Sequence, residues 1–453
     1  MLNFKYFTCF SVILFLLVTL YLPSFAQEDT KTKQFELENG LKVFLYERHS
    51  VPLINLAFAV NCGSKDETEK TSGIVHILEH YIMFRGTEFR SGDQLAQDIR
   101  ENGAYFNAHT SRDLAYFEMT LPSENGDFGL NLQKEILFNI KLTQAELDEE
   151  KEVILEEINK IFDEPMRYAT AMAYKNLFMG HPYQNPIYGN PDTIKNLNVG
   201  QVQEFYSRFF VPINSALVVL GDFDLPEMEK KIRDLYGDLT NENFAAAEFE
   251  NVPSLSETIR FEKEMDVNLG YLVIGFMGPD YNSPDQYSVD LLSEILGRGV
   301  NPLLFRPLSQ RRLYANTLSM SYGAYVYGGA IFVSVSIEPK YINTAEKEII
   351  KFLKSVRKES FSKDDFVGES QFYAIDYLEN AKNQIRFRAH ESQEEGLSVA
   401  LTLARHLLLN KSSEGGSYLE NIDKLTSSDL RKSAGNYLGT GRYVIVSITP
   451  VKK

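Results

Sequence analysis

Leu53-Ile54-Asn55-Leu56-Ala57-Phe58-Ala59-Val60 and, after a polar gap, Gly73-Ile74-Val75-His76-Ile77-Leu78-Glu79-His80 decide how this chain is read. The first run is short and apolar, the mark of a buried strand. The second has helical spacing, and the pattern predicts a helix from about Ser72 to Met83. At about 100° per residue, positions i, i+3 and i+4 share one face. His76, Glu79 and His80 therefore stand side by side. Two imidazoles four residues apart can grip one metal ion, and a carboxylate beside them can reach a bound water. Zinc in such a site would lower the pKa of that water, and a carboxylate in the place of Glu79 would be expected to take its proton during attack on a peptide carbonyl. The chain has 7 histidines in 453 residues. Two unconnected histidines would make this pattern by chance on the order of once in a hundred such chains.

Outward from these two runs, strands and helices mix throughout, which predicts an α+β fold. Residues 34–45 alternate around a turn at Asn39-Gly40, the signal of a hairpin. A helix is expected from about Ser91 to Asn102, then strands over 104–121 broken around Thr110 to Asp113. Asn-Ser-Ala-Leu-Val-Val-Leu-Gly-Asp over 214–222 reads as a further strand. A loose stretch from about Asn243 to Glu257 reads as a linker. The second half begins again with strands (Leu272 to Phe276), a helix (about Gln286 to Leu296) and strands (Ala330 to Ile337), and closes on Tyr443 to Ile448. A similar order of elements in two halves suggests an internal duplication. The expected division is a leader at 1–26, a metal-bearing half at 27–245 and a related half without a metal site at 246–453.

A two-histidine site needs a third protein ligand and an open fourth position. Thr143-x-x-Glu146 is a capping box that opens a long acidic helix, and Pro165 marks its end. With Glu157 as zero, Ile154, Ile158, Ile161 and Leu147 fall within a roughly 60° arc on one side and Val153 on the other. Glu150 and Glu157, seven apart, lie between them inside the buried stripe. Glu149, Glu152 and Glu156 fall on the solvated face. A carboxylate aimed into an apolar face is costly unless paired or metal-bound. That selects Glu157 or Glu150 as the third ligand, with the choice between them open.

The motif set resembles the M16 family of metallopeptidases, which includes the mitochondrial processing peptidases, pitrilysin and insulin-degrading enzyme. The likeness runs through Gly73-x-x-His76-x-x-Glu79-His80-x-x-x-Phe84-x-Gly86-Thr87, Asn107-Ala108-His109-Thr110, Glu150 to Glu157, His181-Pro182-Tyr183 with Gly189, and Phe205 to Asp222. It covers residues 34–450 and is most specific in the first half. The resemblance implies that His76, His80 and Glu157 hold zinc, that Glu79 is the general base, and that Glu150 orients a ligand or assists proton transfer. It places Asn107 and Ala108 alongside an extended peptide held by main-chain hydrogen bonds. It also implies two related halves, each a mostly antiparallel sheet with packed helices, in a clamshell of halves or subunits that admits peptides or unfolded polypeptides. His109 reads as a local hydrogen-bonding residue, because a catalytic zinc keeps one position open. His49, His181, His390 and His406 carry no ligand spacing.

The second half departs from the family. Many members carry an Arg and a Tyr seven apart that bind substrate and polarise its carbonyl. Here Ser309 and Asn316 stand at those positions, and only a shifted register would bring in Arg311 or Arg312 with Tyr322. Two-chain members split the work between subunits. The expected partner is therefore a related second chain or another copy of this one. The rival reading is a non-catalytic scaffold subunit; relatives of that kind usually lose the HxxEH residues, all present here. A zinc hydrolase acting on something other than peptides is a third reading.

The net charge of -16 argues against nucleic acid as partner, since phosphate binding needs clustered Lys and Arg. Lys5, an apolar run from about Phe7 to Leu22, and Ser24-Phe25-Ala26 read as a cleaved secretory leader. The expected location is across the inner membrane, periplasmic or extracellular. Beyond the leader no apolar run is long enough to span a membrane. With Cys9 lost in the leader, Cys62 is the one cysteine left, and it is expected to be buried without a disulfide.

Overall fold

The computed structural model describes residues 31–299, 302–367, 370–409 and 418–451; the expected leader lies outside them. The first sheet has six strands, β1 (Lys31–Glu36), β2 (Lys42–Glu47), β3 (Leu53–Val60), β4 (Tyr105–Thr110), β5 (Ala115–Pro122) and β6 (Ser215–Gly221). They lie side by side as β1-β2-β6-β3-β5-β4. The second has five, β7 (Ile259–Met265), β8 (Gly270–Gly278), β9 (Ala315–Tyr325), β10 (Gly328–Ile337) and β11 (Val444–Pro450), in the order β7-β11-β8-β10-β9. Strands β2 and β6 run parallel, as do β7 and β11; every other pair is antiparallel. Leaving out β1, the two sheets have the same order and the same directions. The duplication expected from the pattern is thus present as topology, and the fold is α+β with two related halves.

The central strands β3 and β6 are buried almost end to end, which is why their sequences are continuously apolar rather than alternating. Lys31 and Lys33 on β1, and Arg260, Glu262, Lys263 and Glu264 on β7, place charge on outer strands and discourage further pairing. The β1–β2 hairpin forms, with Gly40 at φ +85 in a five-residue link whose Leu37 and Leu41 are buried. Residues 245–255 have no helix or strand, as expected of a linker.

The helices that position the site are α1 (Ile74–Phe84), α2 (Gln144–Asp163), α3 (Pro165–Leu177), α4 (Asp285–Ser293, continued by a wider turn over Glu294–Arg298), α5 (Tyr377–Glu394) and α6 (Gly396–Leu409). Helices α1 and α2 pack together on one face of the first sheet. Helix α3 leaves its own half and lies on β8 and β11 of the second sheet, where Ala169, Ala173 and Leu177 meet Val273, Phe332 and Val446. Helix α6 does the reverse, with Ala400 and Ala404 against Ala57, Ala59, Val218 and Leu220 of the first sheet. Each half therefore closes the apolar face of the other.

Gly73 begins α1 at φ +94, a left-handed conformation that favours glycine. A Cβ there would lie 2.5 Å from Ile194 Cδ1 and 2.8 Å from the Cα of Gly189. Gly189 is itself at φ +85 and meets Gly73 backbone to backbone. The buried carboxylate of Glu67 accepts the N–H groups of Gly73 at 2.8 Å and Val75 at 3.1 Å. It satisfies orphan donors of the helix start, while burial raises its carboxyl well above the usual range against those two hydrogen bonds.

Candidate active site

His76 and His80 project from one face of α1, as the four-residue spacing requires, with ring centroids 4.6 Å apart. Across from them on α2, Glu157 Oε2 lies 3.7 Å from His76 Nε2 and 3.6 Å from His80 Nε2. Ligands about 2.0–2.1 Å from a tetrahedral zinc are roughly 3.4 Å apart. Both His–Glu separations thus stand close to the spacing such an ion needs, and all three donors lie within 4.8 Å of one another. They are the set of His, Cys, Asp and Glu donors converging in this way among the described residues.

Glu150 and Glu157, left as alternatives by helical geometry, are separated here. Glu150 Oε2 lies 3.3 Å from the other ring nitrogen of His80, Nδ1, while its Oε1 accepts from Arg85 Nε at 2.6 Å. Glu150 is buried and Glu157 half-buried, so one carboxylate backs a histidine and the other faces the open side. Burial opposes ionisation of Glu150, but His80 and Arg85 outweigh it and hold its carboxyl below the usual range. The hydrogen bond to His80 likewise holds Glu157 below the usual carboxylate range, against burial. Burial and the neighbouring His80 depress His76 to about 4, so its imidazole is neutral and ready to donate a lone pair at neutral pH. Desolvation works against charge on His80 too, yet Glu150 and Glu157 raise it to about 9. Nδ1 of His76 is buried without a hydrogen-bond partner among the described residues, so packing alone sets that ring.

Glu79 sits beside the pair. Thr110 at the end of β4 donates its hydroxyl to Glu79 Oε2 at 2.6 Å. Burial raises the Glu79 carboxyl above the usual range, with Thr110 opposing. Thr110 and Arg85 are the participants that residue-by-residue reading missed. Thr110 stood in the Asn107-to-Thr110 motif, but only the meeting of β4 with α1 gives it a role. Ala108 is buried on the α1 side of β4, and Asn107 points to the opposite face, where its Nδ2 donates to Glu118 Oε1 at 3.2 Å. Strand β4 is the outer strand of its sheet, with only β5 paired to it among the described residues.

Glu149, Glu152 and Glu156 are exposed as expected. Val153 is not in the buried stripe: it is 52% exposed, because the side of α2 flanking Glu157 faces the open site instead of the core. The capping box at Thr143 is half replaced. Thr143 Oγ1 accepts the Glu146 N–H, but the Thr143 N–H goes to Tyr81, whose hydroxyl also donates to Glu146. In the second half Ser309 and Asn316 are exposed. The shifted register does not assemble a free pair: Arg311 is bound to Glu348 at 3.0 Å, and for Arg311 and the exposed Arg312 alike the Tyr322 hydroxyl is already bound to the Pro279 carbonyl at 2.8 Å. Of the other histidines, His49 pairs with Asp222 and Glu47, His181 accepts the Tyr183 N–H and His406 meets Tyr281, while His390 is exposed. Cys62 is buried and free.

The second half repeats the packing without the donors. Where α1 meets β4 and α2, the turn after α4 meets β9 and α5. Glu294 and Arg388 form a two-pronged ion pair there, at 2.6 and 3.2 Å.

Two imidazoles and a carboxylate converging beside a further, unliganded carboxylate are the donor set of a metallohydrolase centre. The sequence signature described as Insulinase (Peptidase family M16) matches residues 42–191, and that of the Peptidase M16 inactive domain matches residues 196–371. The chain belongs to the M16 peptidase family. A Rickettsia bellii (strain RML369-C) protein named an uncharacterized zinc protease is 26% identical over 364 residues, 80% of this chain and 83% of that protein. A probable mitochondrial-processing peptidase subunit beta of Arabidopsis thaliana is 23% identical over 270 residues, 59% of this chain and 50% of that protein. In structure, a protease from Helicobacter pylori superposes with a TM-score of 0.84 at 22% identity, covering 93% of this chain and all of that one. No helix among the described residues is long and apolar enough to cross a membrane.

Proposed function

We propose that this chain is a secreted zinc endopeptidase that hydrolyses peptides or unfolded polypeptides as the metal-bearing subunit of a two-chain assembly. The observation that carries the reading is the Glu79 carboxylate beside the convergent His76, His80 and Glu157. Those three would hold the ion, with Glu150 fixing the His80 ring through Nδ1. Bound zinc supplies Lewis acidity that lowers the pKa of water and polarises a carbonyl. Glu79 takes the water's proton at Oε1 and delivers it to the departing amine nitrogen, and its raised carboxyl pKa suits both transfers. Thr110 keeps that carboxylate from rotating away. The outer edge of β4, with Asn107 and Ala108, holds the peptide main chain as an added strand.

The partner reading rests on the second half. The Tyr322 hydroxyl is engaged with Pro279 and is not free to pair with Arg311 or Arg312, and Ser309 and Asn316 cannot do the work of the family's Arg and Tyr. A related chain, or a second copy, would supply the missing donors. The leader at 1–26 supports export to the periplasm or the medium.

Elemental mass spectrometry of the purified protein tests the metal, and Glu79→Gln tests the chemistry. The expected result is about one zinc per chain, retained in Glu79→Gln while hydrolysis of unstructured peptides by the assembled complex is abolished. Undiminished turnover by Glu79→Gln would defeat the mechanism. Zinc-free folded protein that still assembles with a partner would favour a scaffold subunit instead.

A further inference from the structure

The face of the first sheet turned away from α1 holds a carboxylate that the proposed chemistry does not use. On that face Asn107 and His109 of β4 stand opposite Glu118 and Tyr116 of β5. Glu118 is only 6% exposed. Its Oε1 accepts the Asn107 amide, but its Oε2 accepts no hydrogen bond among the described residues. The basic atom within reach of that oxygen is His109 Nδ1, at the outer limit of 4.0 Å. The His109 ring lies flat on Tyr116, with centroids 4.6 Å apart and planes 21° apart, and burial holds its pKa below the usual value. No Lys or Arg nitrogen lies within 4.0 Å of Glu118 among the described residues.

A largely buried carboxylate is favoured by a facing cation or by several donors. Here one amide faces it. Helix α6 covers this face chiefly over β3 and β6, while Tyr105 and His109 on β4 remain exposed. The way to Glu118 is therefore from the β4 side. A peptide added along β4 sends alternate side chains to the two faces of the sheet. One set faces α1 and Glu79. The other passes over Asn107 and His109. With strands about 4.8 Å apart, the residue opposite Asn107 would have its Cα roughly 10 Å from that of Glu118. A glutamate and a long basic side chain span that distance together; a short or branched side chain does not.

We infer that Glu118, approached between Asn107 and His109, receives the ammonium or guanidinium group of a lysine or arginine in a peptide lying along β4. The inference rests on β4 being the peptide-binding edge, as proposed above. It adds a preference for a basic residue at one fixed place on the substrate, on the sheet face opposite Glu79.

The test measures binding rather than turnover, using zinc-loaded Glu79→Gln protein in its native assembly so that peptides stay intact. Fluorescein-labelled twelve-residue peptides of Ala, Ser and Thr carry a single Arg at successive positions, beside an Arg-free parent. Fluorescence anisotropy should show about tenfold or greater tightening for peptides able to put Arg opposite Asn107, in line with hydrogen bonds to charged groups. Adding Glu118→Gln, which keeps an acceptor for Asn107, should erase that gain and leave parent binding unchanged. Glu118→Lys should move the preference to a glutamate at the same place. Equal binding of parent and Arg peptides, or a gain that survives both Glu118 substitutions, would overturn the inference while leaving the β4 edge intact. Absence of binding by every peptide would instead overturn the reading of the β4 edge, and the Glu118 subsite with it.

Discussion

Replacing Gly73 with Ala should loosen the whole metal cradle although the residue touches no ligand. Two costs add. At φ +94 an alanine sits in the left-handed region, about 1–2 kcal/mol above its ordinary conformations. Its Cβ would also lie 2.5 Å from Ile194 Cδ1 and 2.8 Å from the Gly189 Cα. The side chain can turn away, but the Gly189 backbone cannot move without carrying its own left-handed turn. Overpacking of this kind costs about 1–3 kcal/mol. The expected loss is therefore about 2–5 kcal/mol. Gly180 is an internal control: it has φ +85, and an added Cβ meets nothing within 4 Å. Gly180→Ala should show the conformational cost alone. The chain has no Trp, so urea unfolding is best followed by far-UV circular dichroism. Because His76 lies one turn into α1, zinc affinity should also fall in Gly73→Ala and stay unchanged in Gly180→Ala. Equal stability losses in the two variants would refute the argument that Gly73 and Gly189 set the start of α1 by contact.

Glu150→Gln should weaken zinc binding by about 10–100-fold without abolishing it, because it fixes His80 from behind instead of touching the ion; competition with a fluorescent chelator measures this. Asp365 accepts the Ser362 N–H at 3.1 Å and pairs with Arg431 at 2.9 Å; these outweigh burial and hold its carboxyl at about 2 against an ordinary 3.8. A depressed folded pKa means stability present above pH 3.8 and lost as pH falls through about 2. Wild type should lose about 2 kcal/mol more than Asp365→Asn across that window in acid-dependent unfolding. Removing Arg388 leaves Glu294, 2% exposed, as a buried unpaired charge, so Arg388→Ala should cost about 3 kcal/mol or more, whereas Glu294→Gln frees a half-exposed arginine and should cost less. Thermal unfolding of the two variants side by side checks the order.

Much of this protein follows from short-range pattern. The apolar run at Leu53–Val60, the i, i+3, i+4 spacing of His76, Glu79 and His80, and the capped acidic stripe of α2 depend on geometry within one element. Periodicity therefore reveals them. The same periodicity left Glu150 and Glu157 equivalent, because seven residues return almost to the same face of a helix. Family resemblance, not periodicity, preferred Glu157. Val153 was misplaced for a related reason: a stripe's edge is buried only if something lies against it, and here the neighbour is the open site.

What only the tertiary structure decided are the meetings of distant segments. Thr110 reaches Glu79 because β4 lies under α1, Arg85 reaches Glu150 because α1 lies across α2, and Gly189 abuts Gly73 from a separate loop. The exchange of α3 and α6 between the halves is of the same kind. Each helix is amphipathic in sequence, but hydrophobic burial is non-directional and does not say whose sheet it covers. The repeated order of strands could be read along the chain; which half closes the other had to be settled by packing in three dimensions.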